Sequence, residues 1–169
     1  TIAAVGWVYL GTMQTYRTHD ALSRLQEGAR HTFELIGKDL RMTGVSGCSF
    51  STSMNVVKNA DTTWYASLFT QPLFSESQDG VAGETEFSDA LRVLHADVSR
   101  EYIVQNHNTG TSSFELTADH DIEAGQLMIA TDCTHVSVFQ ASAAAGKNVT
   151  HLTGAGPGND SVNLGKPLG

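Results

Sequence analysis

Along residues 1–43 the apolar positions follow a helical period, and the character of that helix changes partway. From Leu22 onward they fall at Leu22, Leu25, Ala29, Phe33, Ile36 and Leu40. This spacing of three and four lays one apolar stripe along a helix. Glu27, His31, Glu34, Lys38 and Arg41 occupy the other side. Before Leu22 the pattern is different: Ile2, Ala3, Ala4, Val5, Trp7, Val8, Tyr9, Leu10 and Met13 are apolar on nearly every side. A helix apolar all round is buried in something larger, a bilayer or a bundle of helices. Such a rod, greasy at one end and half-wet at the other, joins a folded domain to an assembly. The pairs Asp20–Arg24 and Glu34–Lys38 have the favoured acid-before-base order at i, i+4. Gly44 is the expected stop, with Arg41 in the last turn where the helix dipole favours a cation.

Beyond Gly44 the periodicity is lost. Residues 45–90 read as an irregular stretch, with Ser, Thr and Asn dense from Ser46 to Asn59 and an apolar patch of Trp64, Tyr65, Leu68, Phe69, Leu73 and Phe74 capping a core. From Leu91 the texture turns strand-like. Short runs at 91–96, 101–105, 113–117, 126–131 and 135–141 are separated by turns at Asn108–Gly110 and Glu123–Gly125. The expected fold class is α+β: a long helix, a loop region, then an antiparallel meander whose apolar face receives the helix stripe. The expected division is 1–44 for the helix and 45–169 for the loop region and sheet. The chain opens inside an apolar run with no basic leader, and that run is shorter than the ~20 residues of a membrane span. Gly154–Gly158 and the closing GKPLG have the look of connector or unfinished segment. Both ends therefore read as cut.

Charge and chemistry narrow the function. The 169 residues carry 10 basic against 18 acidic side chains, a net charge of −8, so a nucleic-acid-binding face is not expected. None of the seven histidines lies in a metal-protease pair, and His31 falls on the polar face of the helix. The cluster Asp119, Asp121 and Glu123 ahead of Gly125 offers hard oxygen ligands for calcium, but it lacks the full loop pattern of a calcium hand and reads first as a solvated turn. Cys48 and Cys133 read in two ways: a disulfide in an oxidising compartment, or two buried thiols in a reducing one. No catalytic residue and no cofactor emerge from these patterns.

Three segments carry a resemblance. QTYRTHDALSRLQEGARHTFELIGKDLRMTGVSGC (Gln14 to Cys48), SDALRV (Ser88 to Val93) and GQLMIATDCTHVSVFQAS (Gly125 to Ser142) resemble, in order, minor pilins of the PilW family of type IV pilus assembly. The resemblance implies a pilin-like fold, with Ile2, Val5, Val8 and Tyr9 in the helical core of an assembly and Leu22, Leu25, Phe33, Ile36 and Leu40 packed on the sheet. It also implies a periplasmic head anchored in the inner membrane by a segment preceding Thr1, and an extracellular fibre after assembly. That oxidising setting favours a Cys48–Cys133 disulfide. The implied role is structural, not enzymatic: priming of the pilus at or near its tip, with other minor pilins, the major pilin and in some systems a tip adhesin as partners. Adhesion, twitching motility and DNA uptake then follow from the fibre. Alternatives from the same residues are a minor pseudopilin of a type II secretion system, a periplasmic calcium-dependent binding module, and a hydrolase with a cysteine nucleophile.

Overall fold

A computed structural model describes residues 2–48, 50–76, 90–154 and 158–169. The chain divides into two compact units, Thr1–Met42 and Thr43–Gly169. Each is described by itself.

The first unit is one helix, α1, Ile2–Arg41. Its 40 residues run without a break, although Gly6, Gly11, Gly28 and Gly37 each weaken it relative to alanine. Thr12, Thr15, Thr18 and Thr32 return their hydroxyls to the carbonyls four residues back, at 2.8–2.9 Å. Asp20 pairs with Arg24 at 3.1 Å, as the spacing predicts. Glu34 takes Arg30 at 3.2 Å, so the sequence-based pairing with Lys38 is corrected. Both bases lie one turn away, and the Arg30 Nε–H donates straight to the carboxylate. The helix closes with Lys38 and Arg41 in its last turn, and the chain turns at Gly44, φ 72°, a left-handed angle that glycine adopts at no steric cost.

Among the described residues the second unit holds nine strands: β1 Thr52–Asn55, β2 Leu73–Glu76, β3 Ala90–Val93, β4 Val104–Asn108, β5 Ser113–Leu116, β6 Leu127–Thr131, β7 His135–Gln140, β8 Ala143–Ala145 and β9 Asn148–Thr150. Three sheets form, ordered β1-β7-β6, β2-β3 and β4-β5-β9-β8. Every pair is antiparallel except β1 with β7, which is parallel in the register Thr52 to His135. The single antiparallel meander expected from the sequence is thus corrected to three sheets containing one parallel pair. The stretch 45–90 is corrected as well. It contains β1, β2 and two short 3₁₀ turns, Ala60–Thr62 and Trp64–Ala66. Residues 49 and 77–89 of that stretch lie outside the described residues, as do 155–157 of the glycine-rich connector. The expected strand at 101–105 begins later, at Val104, and β8 and β9 were not anticipated.

Strand β7 explains the layering. All six of its residues are buried. Phe139 joins a core with Phe114, Leu116, Val149, Leu164 and Leu168, while Val138 joins a second one with Val57, Ala66 and Leu68. Covered on both faces, β7 accommodates a parallel neighbour, the setting in which parallel pairs are normally found. Its polar residues are satisfied inside. His135 Nε2 and the Ser137 hydroxyl both donate to the Leu164 carbonyl, at 2.6 and 2.8 Å, and the Thr52 hydroxyl lies 2.8 Å from His135 Nδ1.

The residues that receive these bonds form a strap, 158–169. Asn159 is almost fully buried, and its side chain satisfies the end of β7: its Oδ1 accepts from the Gln140 backbone N–H at 2.7 Å, and its Nδ2 donates to the Gln140 carbonyl at 2.8 Å. Leu164 and, in the GKPLG segment that follows it, Leu168 are buried in the main core. Gly165 is held at φ 89°, and a Cβ there would sit 2.7 Å from the His135 ring. Gly165→Ala is therefore expected to destabilise the unit by about 2–4 kcal/mol, combining left-handed strain with a core clash. Chemical denaturation measures it, and a loss below about 0.5 kcal/mol would mean that the strap yields freely.

Candidate functional site

Two surfaces are candidates for interaction. The first is the leading part of α1. Residues 1–16 contain no charged side chain; the first is Arg17. Val5 and Val8 are each 69% exposed and Trp7 is 82% exposed. The polar atoms there are largely satisfied by the helix itself, since Thr12 and Thr15 donate to the carbonyls of Val8 and Gly11. This part of the helix consequently presents an apolar exterior with few unmet hydrogen bonds, which suits burial among other helices or lipid chains. Tyr9 lies within it and is exposed. Ile2 belongs to the helix, but its side chain lies outside what is described. The stripe Leu22, Leu25, Phe33, Ile36 and Leu40 runs along one side of the same helix, and nothing within the helix covers it.

The second surface is a cavity of about 740 Å³ in the β unit, lined by Leu68, Leu94, Ile103, Leu127 and Ile129 and by the Cys48–Cys133 pair. The disulfide expected from the family resemblance is present. It spans 85 positions with a Cα–Cα distance of 5.2 Å. Cys133 takes a left-handed φ of 66°, and the turn that holds it there is built by Asp132. The Asp132 carboxylate accepts from the Thr134 amide at 3.0 Å, the Thr134 hydroxyl at 2.8 Å and the His135 amide at 2.9 Å. It also pairs with Lys166 of the strap, which donates in addition to the Thr134 hydroxyl at 2.8 Å. The short stretch 132–135 thereby ties three things together: the disulfide, the start of β7 and the strap.

That clustering of donors, Lys166 first and then the His135 amide, holds the Asp132 carboxyl well below the usual carboxylate range. A depressed acid stabilises the fold above its ordinary value of 3.8 and loses that contribution as pH falls below it. Asp132→Asn is expected to lower Tm at neutral pH and to flatten the decline of Tm below pH ~4. Melting curves across pH 2–7 read both effects. An acid limb identical to that of the unaltered protein would show that Asp132 contributes nothing through its charge.

Other titratable groups fall into two clusters. On the surface, the Tyr102 hydroxyl donates to Asp121, which raises Tyr102 and lowers Asp121. Arg100 lies 3.8 Å from Asp121 and 4.0 Å from Asp97. The calcium candidates are not gathered: among the described residues no group of three or more His, Cys, Asp or Glu is placed to hold a metal ion, and Asp121 is engaged by Tyr102 and Arg100 apart from Asp119 and Glu123. In the interior, His107 and His151 face one another with their Nε2 atoms 3.1 Å apart. They sit against Phe114 and Phe139, with the His107 and Phe114 rings stacked at 4.2 Å. Sequence reasoning assigned these histidines no role. Their one local signal is position, His107 on a strand and His151 directly after one, which is weak without knowledge of the pairing. His31 lies exposed on α1, as read from the sequence.

Among the described residues no helix is long and apolar enough to cross a membrane. No family model, no curated protein and no solved structure matches the chain.

Proposed function

We propose that the protein is a structural subunit of a filament, a minor pilin of the PilW type that helps to prime a type IV pilus. The observation that carries this reading is the form of α1: 40 unbroken residues whose first fifteen positions hold no charge and expose their valines and tryptophan to solvent. Apolar surface of that extent on a rod calls for partners. Like rods supply them without any hydrogen-bond penalty, because the helix satisfies its own backbone and threonine groups. In this reading Ile2, Val5, Val8 and Tyr9 pack among the helices of neighbouring subunits. The β unit is the pilin-like head. Its disulfide, fitting a periplasmic and then extracellular location, holds the beginning of the unit against the start of β7. Function here means assembly by shape, with other minor pilins and the major pilin as partners and an inner-membrane anchor preceding Thr1.

The test is isolation of the full-length protein from detergent-solubilised membranes after cross-linking. Recovery together with other pilin-like subunits is the expected outcome. Recovery solely as a monomer, under conditions that capture complexes of known minor pilins, contradicts the proposal.

A further inference from the structure

We infer that the pair of half-buried His107 and buried His151 is an acid-sensitive latch: with both rings neutral it closes strap residues 163–169 onto the four-stranded sheet, and proton uptake by either ring releases them.

The hydrogen bonds dictate the protonation state. The Leu168 amide donates to His107 Nδ1 at 3.1 Å, so that nitrogen carries no proton and the His107 proton is on Nε2. His107 Nε2–H then points at His151 Nε2, 3.1 Å away, which must accept and must therefore be bare. The remaining proton of His151 is on Nδ1, a fully buried atom with no hydrogen-bond partner among the described residues. The chain of bonds runs in one direction, from Leu168 to His107 to His151, and every acceptor in it is a ring nitrogen that a further proton would occupy. Protonating His107 sets an N–H against the Leu168 amide. Protonating His151 sets two N–H groups head to head. The first breaks the link to the strap directly, and the second breaks the bond that orients the His107 ring to receive Leu168.

The surroundings offer no compensation. Phe114 of β5 and Phe139 of β7 pack on the pair, β4 and β9 carry no charged residue, and the His151 amide donates to the Ser112 carbonyl. The nearest charged residues along the chain, Glu101 before β4 and Lys147 before β9, are exposed, as is Glu115 of β5. On the strap, Lys166 is committed to Asp132. His135 grips the strap at Leu164, but its Nδ1 faces the Thr52 hydroxyl, which can accept as readily as donate, so a proton there leaves that grip intact. Consistent with this geometry, burial lowers His107, and burial together with the His107 ring pushes His151 down to about 4 from its ordinary 6.5. A histidine lowered in the folded state leaves stability intact above 6.5 and removes it as pH falls from there toward 4. This window lies above the one in which Asp132 acts.

Hydrogen exchange on the intact chain tests the latch. The Leu168 protection factor, divided by that of the Val138 amide in β7, is expected to fall roughly a hundredfold between pH 7.5 and pH 4. In His151→Phe, which places a third phenylalanine in the aromatic cluster and leaves His107 as the one ring of the pair that can take up a proton, the fall should be clearly smaller. Side-chain nitrogen NMR of the unaltered protein is a second readout that needs no variant. At pH 7.5 it should show His107 protonated on Nε2 and His151 on Nδ1. A protection ratio that stays constant with pH, an undiminished fall in His151→Phe, or a His107 ring protonated on Nδ1 at neutral pH would each overturn the proposal.

Discussion

Replacing both cysteines, Cys48→Ser with Cys133→Ser, is expected to destabilise the β unit by about 4–5 kcal/mol and to lower its Tm by about 10–20 °C. The bond joins positions 85 residues apart, so in the unfolded chain it closes a long loop and removes much conformational freedom. The magnitude comes mainly from that unfolded-state term and is an upper figure. The folded state adds a local effect. The Cys133 end lies inside the Asp132 turn that also binds Lys166 and the start of β7, so loosening the turn weakens the strap as well. The double substitution is the right comparison because a single one leaves a free thiol behind. Denaturant unfolding of the two proteins measures the difference. A change under about 1 kcal/mol would show that the stretch from Cys48 to Cys133 is already compact when unfolded.

The second large effect concerns assembly. In the full-length protein, Val5→Asp with Val8→Asp is expected to reduce incorporation into fibres to below about 1% of the normal level. Both valines lie in the uncharged stretch ahead of Arg17 and are exposed along α1. A carboxylate at the centre of a lipid-buried or helix-buried segment costs about 2.5–3.5 kcal/mol on the insertion scale. Two of them cost about 5–7 kcal/mol, far more than a hundredfold change in occupancy requires. The β unit should melt as before, which separates an assembly defect from misfolding. Glu27→Ala, on the polar side of the helix, serves as control and should incorporate normally. Incorporation of the double variant at the normal level would show that this end of the helix is not a packing surface.

What could be read from the sequence, and what could not, divides along the range of the interactions. Helix α1 was legible because its signals are local: three-and-four spacing, the Asp20–Arg24 pair, and Gly44 as a stop. Strands β5, β6 and β7 were legible from short β-rich runs between turn residues. The parallel pairing of β1 was not, because Thr52–Asn55 is polar and of low strand propensity and is held by partners more than eighty positions away. Burial of β7 on both faces was hidden for the same reason. His135 and Ser137 look like the wet side of a half-buried strand until the Leu164 carbonyl arrives from the strap to satisfy them. The strap, rich in glycine, gave no helix or strand signal, although Leu164 and Leu168 anchor it in the core. The disulfide came from the family resemblance. The calcium candidates were a pattern of carboxylates in sequence that the fold does not gather, since Asp121 is taken by Tyr102 and Arg100.

The central claim is that the apolar end of α1 is a contact between subunits. A photo-cross-linking residue placed at Val8 of the full-length protein, irradiated in isolated fibres, tests it most directly. The account predicts a covalent product joining Val8 to the leading helix of another pilin subunit, and no such product from a cross-linker at Glu27. Capture of water alone at Val8, in fibres that contain the protein, would contradict it.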